Sequence, residues 1–387
     1  MDEILVSLTA GDWDGIKHRP HHFMRRAAQS GRTVLYVEPP VSLLGPLKNK
    51  ASIATWKRWR QGLSKKEDNL YVLAPPPILP FGYKYRWINK LNQRLLALSL
   101  KNNIKKIGGQ PSLYTFLPSA ADMLALIPFR AVYYDCVDDH GAFKGLIDPK
   151  VVAELEIELL TRSNVCFATA KQLRDDRASL NPDIHLVPNG AEYEHFAKIQ
   201  DVDLPVPEDV LSIKNPIAGF IGGISEWIDL DLIYQIALQL PEVSFVMIGP
   251  VDTDISIFTN LDNVHFLGPK PYSSLPVYIH AFSVCLIPFK LTKLTKSVNP
   301  IKMYEYLSAG KPVISTPLPE VLSYDGIVQI ADGHAETVRI LKEIVGNLEY
   351  HHSEEKVLPR QATGKENSWD ARWKVIEQLL KTTRETG

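Results

Sequence analysis

The sequence predicts an α/β protein of two domains, each a largely parallel sheet with helices on its faces. Three observations carry this. Short apolar runs alternate with helix-length runs along most of the chain. Between residues 197 and 215 the alternation stops, and Asp201, Asp203, Pro205, Pro207, Glu208 and Asp209 follow without periodicity before it restarts. A length of 387 residues is enough for two full cores. The expected division is a first domain over 1–196, a linker over 197–215 and a second domain from 216.

In the first domain, Ile4 to Leu8 reads as a strand, Gly11 to Pro20 as a polar loop and His21 to Ser30 as a helix stopped by Gly31. Thr33 to Val37 is the next strand, closed by Glu38-Pro39-Pro40. Further strands are expected over 70–74, 112–116, 131–135, 164–168 and 184–187, with helices over 84–106 and 149–163. The second domain opens with the strand Ile217 to Ile221 and the pair Gly222-Gly223. A helix follows from Leu230 to Leu240, then the strand Ser244 to Ile248, closed by Gly249-Pro250. Val264 to Gly268 and Val284 to Pro288 are strands around a helix over 274–281, and Ser368 caps a last helix, Trp369 to Lys381. No repeat of 20–50 residues is visible.

One stretch organises the second half: Ser297 to Ile314. Pro300 suits the first helical position, Asn299 the N-cap and Gly310 the left-handed stop. A helix start leaves N–H groups unpaired and carries the positive end of the dipole. Lys302 adds a cation in the first turn, and Glu305 stands three residues on, on an adjacent part of the face. Donors, a Lys and a carboxylate able to accept two hydroxyls suit a phosphorylated sugar, whereas a capped surface helix is the plainer alternative.

Composition narrows the classes. Hydrophobic residues make up 45% and charged residues 22%, with a formal net charge of −1, so no global charge favours nucleic acid. Cys136, Cys166 and Cys285 lack ligand spacing and read as buried thiols of a reducing compartment. The start, Met1 to Ser7, has early acid and no basic region, so it does not read as a signal peptide. No apolar run approaches the roughly 20 residues of a spanning helix. A cytoplasmic protein is expected. Residues 48–66 interleave Lys48, Lys50, Lys57, Arg58, Arg60, Lys65 and Lys66 with Trp56 and Trp59, which suits the inner face of an anionic membrane or a solvated loop.

The pattern Asn299-Pro-x-Lys302-x-x-Glu305-Tyr-Leu-x-Ala-Gly310-Lys-Pro-Val resembles the donor-site helix of family-4-like retaining glycosyltransferases of the GT-B fold. Val187-Pro188-Asn189-Gly190-Ala191 with Phe196, Phe266-Leu267-Gly268 with Leu275-Pro276-x-Tyr278, and Ser368-Trp369-Asp370 resemble further segments of that family in order. In the first half, Asp12-Trp13-Asp14-Gly15 with Arg19-Pro20-His21-His22, Leu35 to Pro40, and Tyr134-Asp135-Cys-Val-Asp138-Asp139 are similar to members that build bacterial surface polysaccharide and teichuronic acid.

The resemblance implies two Rossmann-like domains facing a cleft, the second over 216–367, with the helix 368–387 crossing back to complete the first. It implies a donor nucleotide sugar, UDP-linked rather than GDP-linked, and a glycan or polyprenyl-linked acceptor met by the first domain. Lys302 would stabilise the leaving diphosphate, with Asn299, Pro300 and Ile301 at the helix start, and Glu305 would hold the ribose. Gly222, Gly223, Gly249, Gly268, Lys270 and Lys296 would line the nucleotide. Asp135, Asp138, His21 and His22 would serve the acceptor side, Asp135 and Asp138 alternatively capping the turn after their strand.

Two departures stand out. Ser297 occupies a position where many members carry Glu, and Gly222 to Trp227 lacks the usual Arg/Lys clamp, leaving Lys293, Lys296 and Lys302 to meet the diphosphate. Asp12-x-Asp14 and Asp201-x-Asp203 have the letters of a metal–diphosphate motif without its context, so no cofactor and no essential metal are expected. The fold also serves nucleotide-sugar epimerases and sugar phosphorylases, and the missing clamp leaves a non-catalytic nucleotide-sugar-binding protein open.

Overall fold

A computed structural model describes residues 3–45, 57–142, 145–197 and 206–385. It divides into two units, residues 1–188 with 373–387, and residues 189–372.

The first unit is built on an eight-stranded sheet in the order β3-β4-β2-β1-β5-β6-β7-β8. Its strands are β1 (Glu3–Leu8), β2 (Thr33–Val37), β3 (Leu63–Glu67), β4 (Leu70–Leu73), β5 (Gln110–Thr115), β6 (Val132–Cys136), β7 (Val165–Ala168) and β8 (Ile184–Leu186). Only β3 runs antiparallel, in a hairpin turned at Asn69, a residue type that tolerates its φ of 60°. The parallel strands read as continuous apolar runs because helices cover both faces, and β6 is buried throughout. Ile4, Val6, Leu35, Leu113, Tyr134 and Cys166 lie in one core with Leu96, Leu100, Leu155 and Leu159 of the helices Arg86–Ile107 and Pro149–Arg162. Pro149 opens the latter behind its N-cap Asp148, whose side chain accepts from the Lys150 N–H at 2.9 Å.

The second unit carries six parallel strands in the order β11-β10-β9-β12-β13-β14. They are β9 (Ile217–Ile221), β10 (Ser244–Ile248), β11 (Val264–Gly268), β12 (Val284–Ile287), β13 (Val313–Ser315) and β14 (Gln329–Ile330). Alternate residues of β10 feed two cores: Val246 and Ile248 pack with Tyr304 and Tyr306, Phe245 and Met247 with Ile233 and Ile236. In both units the chain's first strand lies inside the sheet and later strands add on either side. The order reverses between β1 and β5, and between β9 and β12, and such switch points are where open α/β sheets bind ligands, beyond their carboxyl ends.

The division falls earlier than the sequence suggested. Ala191 and Phe196 are buried in the second unit's core, so the chain joins that unit from Asn189 rather than after residue 196. Glu208–Leu211 is a helical turn, with Val210 also in that core, and the middle of the expected linker, 198–205, lies outside the described residues. The last helix, Trp369–Glu385, begins in the second unit and continues in the first from Trp373, whose ring lies 6.2 Å from that of Phe23. Helices Lys171–Arg177, His334–Gly346 and Glu354–Glu366 were not foreseen. The last has a charged, weakly patterned sequence with Pro359 inside it.

Candidate functional site

The organising helix runs from Ile301 to Ser308, just beyond the switch point of the second sheet. It starts one residue later than expected: Pro300 is the N-cap, with extended backbone and no side-chain cap. Asn299 therefore does not cap the helix, a correction. Its Oδ1 accepts from the Asn189 N–H at 2.9 Å, its Nδ2 donates to the Tyr304 hydroxyl at 3.0 Å, and its carbonyl accepts from Asn189 Nδ2 at 2.8 Å. A buried amide so engaged ties the entry of the unit to the helix, and its side chain is occupied. The first-turn N–H groups of the helix have no side-chain cap. At the far end Gly310 takes a φ of 72°, and the N–H groups of Gly310 and Lys311 return to the carbonyls of Leu307 and Tyr306.

Lys302 Nζ lies 2.7 Å from Glu305 Oε2. The Glu305 carboxylate is buried, whereas the Lys302 ammonium is open to solvent on one side. The cation in the first turn, expected to need a bound anion, has a partner in its own helix. The pair is screened by water on the Lys302 side only. A ligand offering phosphate to Lys302 and hydroxyls to Glu305 replaces their mutual contact with hydrogen bonds to charged groups, each worth about 1.5–3 kcal/mol.

Beside the helix lies an edge made of glycines. The Ile221 N–H donates to the Tyr306 hydroxyl at 2.8 Å, which fixes the end of β9 to the helix. Gly222 follows, its N–H donating to the Ile248 carbonyl, and Gly249 donates to the Gly268 carbonyl at 3.0 Å. Gly249 has a φ of 148°, and a Cβ there would fall 1.9 Å from the Gly222 oxygen. Only glycine fits, and the ends of β9, β10 and β11 come together as bare backbone. Gly223 stands next along the loop with more room, 3.8 Å from the Trp227 ring for an added Cβ. The helix is set from behind by the Glu354–Glu366 helix, where a Cβ on Gly364 would come within 2.6 Å of the Ser308 nitrogen. Tyr306 was not foreseen as a site residue; in sequence it is one more core aromatic of the helix.

The expected cations sort differently. Lys296 is exposed in the loop before the helix, as is Lys293. Lys270 is paired with Asp209 at 2.6 Å and lies over the Tyr278 ring. Contact with a nucleotide would require that pair to open.

The first-unit residues are more enclosed than expected. Asp135 is fully buried, 2.9 Å from Arg19 Nε, and accepts from the Tyr114 hydroxyl at 2.8 Å. Arg19 also donates to the Pro188 carbonyl and stacks on Phe23. Asp135 is thus held in a buried ion pair on β6, a strand buried along its whole length. His21 is similarly enclosed. Its Nδ1 accepts from the His18 N–H at 3.1 Å, and its Nε2 donates to the Asp12 carbonyl at 2.9 Å. Trp13 and Tyr36 pack around the ring, and burial pushes its pKa down to about 4. It is a neutral brace for the 9–18 loop. His22 is buried beside it on the Arg19–Gln29 helix. Asp138 is only half-buried, and lost hydration with neighbouring Asp139 pushes it up to about 6. Asp12 and Asp14 pair with Arg58 at 2.7 Å and Lys66 at 2.9 Å.

A cavity of about 330 Å³ opens at the carboxyl edge of the first sheet, under Pro39, Pro40, Ile78, Pro80 and Phe81. It is walled mainly by apolar groups. Gln93 lines it, is buried, and has an Oε1 without a hydrogen-bond partner. Phe81 has a φ of 70°, a costly conformation for a bulky residue that ligand-contacting segments often hold. Asn92 clamps Leu79 with two 2.9 Å bonds to its N–H and carbonyl. The sequence carried no motif for this cavity, since its walls come from four separate segments and a helix.

Comparison with known proteins agrees with this geometry. Residues 215–345 match the family described as glycosyl transferases group 1. TuaH of Bacillus subtilis (strain 168), named as a glycosyltransferase of teichuronic acid biosynthesis, is 32% identical over 221 residues, 53% of this chain and 55% of that protein. The matched part is thus about half the length of this relative. Among solved structures, sucrose-phosphate synthase of Thermosynechococcus elongatus superposes over 100% of both chains with a TM-score of 0.72 at 14% identity. Anabaena HepE, solved in complex with UDP, covers 99% of this chain and 100% of its own with a TM-score of 0.65 at 13% identity. These structures establish the fold, GT-B, with two α/β domains.

Proposed function

We propose that the protein, whose residues 215–345 match the group 1 glycosyltransferases, transfers a sugar, with retention, from a UDP-sugar to a lipid-linked or glycan acceptor in bacterial surface polysaccharide synthesis. The observation that carries this reading is the Lys302–Glu305 pair at an uncapped helix start, beside the glycine edge of the second switch point. Breaking the bond from the anomeric carbon to oxygen places growing charge on the leaving diphosphate. Lys302 and the first N–H groups of the helix receive that charge, with Lys293 and Lys296 nearby in sequence in place of the absent Arg/Lys clamp. Glu305, released from Lys302, takes the ribose hydroxyls. The glycines let backbone approach the nucleotide closely.

On the acceptor side the reading draws on the first unit's cavity. Its apolar walls with one unpaired amide oxygen suit the apolar portion of an amphiphilic acceptor. Asp138, pushed up to about 6, is the carboxyl of that unit nearest to accepting a proton at neutral pH. A reducing cytoplasmic setting, peripheral on the inner membrane face, fits such an acceptor.

A screen of nucleotide sugars, with and without acceptor extract, tests the reading. Binding of UDP by calorimetry, slow donor hydrolysis, and transfer with retained anomeric configuration are expected. Rapid epimer formation without acceptor, or phosphate-dependent sugar release, would replace transfer with epimerisation or phosphorolysis. Absence of binding to both UDP and GDP would overturn the donor site itself.

A further inference from the structure

We propose that the outer face of the Arg86–Ile107 helix docks the first unit on an anionic lipid bilayer. The helix is 22 residues long, about 33 Å, and contains no acidic residue. Its inner face is committed: Leu96, Ala97, Leu100 and Ile104 are in the first core. The opposite face repeats the apolar pattern where nothing covers it. Trp87 is 62% exposed, Leu91 39%, Leu95 43% and Leu98 62%. At 100° per residue these four fall on one ridge, and Lys90, Arg94 and Lys101 line one flank of it. None of these three forms an ion pair with a carboxylate among the described residues, whereas Arg86 at the helix start is held by Asp122 and Glu158.

Apolar ridge, Trp at one end and uncompensated cations alongside form the pattern of a helix lying in the plane of the interface. No described helix is long and apolar enough to cross a membrane. The contrast with the segment first suspected favours this face. Residues 46–56 lie outside the described residues, and in 57–66 Arg58, Lys65 and Lys66 are paired with Asp12, Asp68 and Asp14. Three of the five cations of 57–66 are thus neutralised locally, while Lys90, Arg94 and Lys101 remain for phospholipid headgroups. A second copy of the chain would also cover the ridge, but the six cations of an acid-free helix would repel their own images across a two-fold.

Co-sedimentation of the full chain with vesicles decides the matter. Binding to vesicles containing phosphatidylglycerol, weakened by salt and far weaker on pure phosphatidylcholine, is expected. Lys90→Gln with Arg94→Gln and Lys101→Gln should weaken it roughly 100-fold, at about fivefold per cation. Trp87→Gln with Leu91→Gln and Leu98→Gln should weaken it at least as much. A control with Lys214→Gln, Arg339→Gln and Lys342→Gln on the second unit should bind as the parent does. No binding to anionic vesicles, an equal loss in the control, or a ridge variant that abolishes only self-association in the ultracentrifuge would overturn the proposal. The charge and ridge variants are read separately against melting temperature, so a misfolded one leaves the other decisive.

Discussion

The two units share a plan and use their charged residues in opposite ways. In the first, the charges at the strand ends are spent on the fold. Arg19 holds Asp135, Arg177 grips Glu156 at 2.9 Å, and both ring nitrogens of His21 are engaged. In the second, the strand ends are bare glycine backbone, and the nearby acid and base lie on one helix turn with the Lys partly in water. Removing one member of a buried pair costs about 3–5 kcal/mol, whereas a ligand that meets both Lys302 and Glu305 leaves neither charge unpaired. The first arrangement resists any ligand that would claim its charges. The second yields them. A charged residue beyond a strand end is therefore no signal by itself; the cost of separating it from its partner is.

The sharpest way to break this contrast is in the second unit. Lys302→Ala should lower turnover about 10²–10³-fold with little change in melting, read as donor consumption. Glu305→Ala should weaken UDP binding in calorimetry by tenfold or more. Normal UDP affinity in both variants would remove the site from this helix.

The next effect is on stability. Asp135→Ala leaves Arg19 buried and unpaired, and urea unfolding should show a loss of about 3–5 kcal/mol. UDP affinity of the folded variant should stay at the parent value. Unchanged stability with lost turnover would instead return Asp135 to the chemistry.

A smaller effect appears with pH. His21 is pushed down from 6.5 to about 4, so between these values the unfolded chain takes up a proton that the folded one refuses. Stability falls as pH drops through this window, by up to about 3 kcal/mol. Asp138 is pushed up from 3.8 to about 6, and its sign is opposite: its contribution is present below its ordinary value and lost as pH rises through 6. The two offset each other, and Asp138→Asn should expose the His21 slope as a steeper acid loss in unfolding curves. An unchanged slope would show that neither group titrates as its surroundings dictate.

The smallest effect belongs to the surface. Lys66→Gln should change stability by less than about 1 kcal/mol, because its pair with Asp14 is open to water.

Most strands were legible because parallel strands buried on both faces are unbroken apolar runs, and Ile217–Ile221 and Ser244–Ile248 fall as read, as does the half-buried edge strand Val264–Gly268. The helix at 301–308 was legible from Pro300 and Gly310, although Pro300 became the cap. Side-chain partners were not. Asn299 reads as a cap in any sequence, but the 110-residue reach to Asn189 claims its amide. Asp135 and His21 follow a strand and a loop as ligand residues do, and only the inward pleat of β6 and the packing of Trp13 and Tyr36 turn them into braces. The domain boundary was misplaced because Phe196, a lone aromatic, gave no sign of which core would bury it.

The glycine contact behind the 301–308 helix has a bearing on how donor preference drifts. At residues 364 and 308 two backbones touch with no side chain between them, and Gly310 meets Val357 as closely. Such a seat has no gradation: the smallest substitution is already a 2.6 Å collision. Variation from behind is all-or-nothing, so on the proposed function tuning of the donor would come from the front, through the exposed residues 290–293 and Lys296. Laboratory selection for a new donor should accumulate its changes there and leave Gly364 untouched.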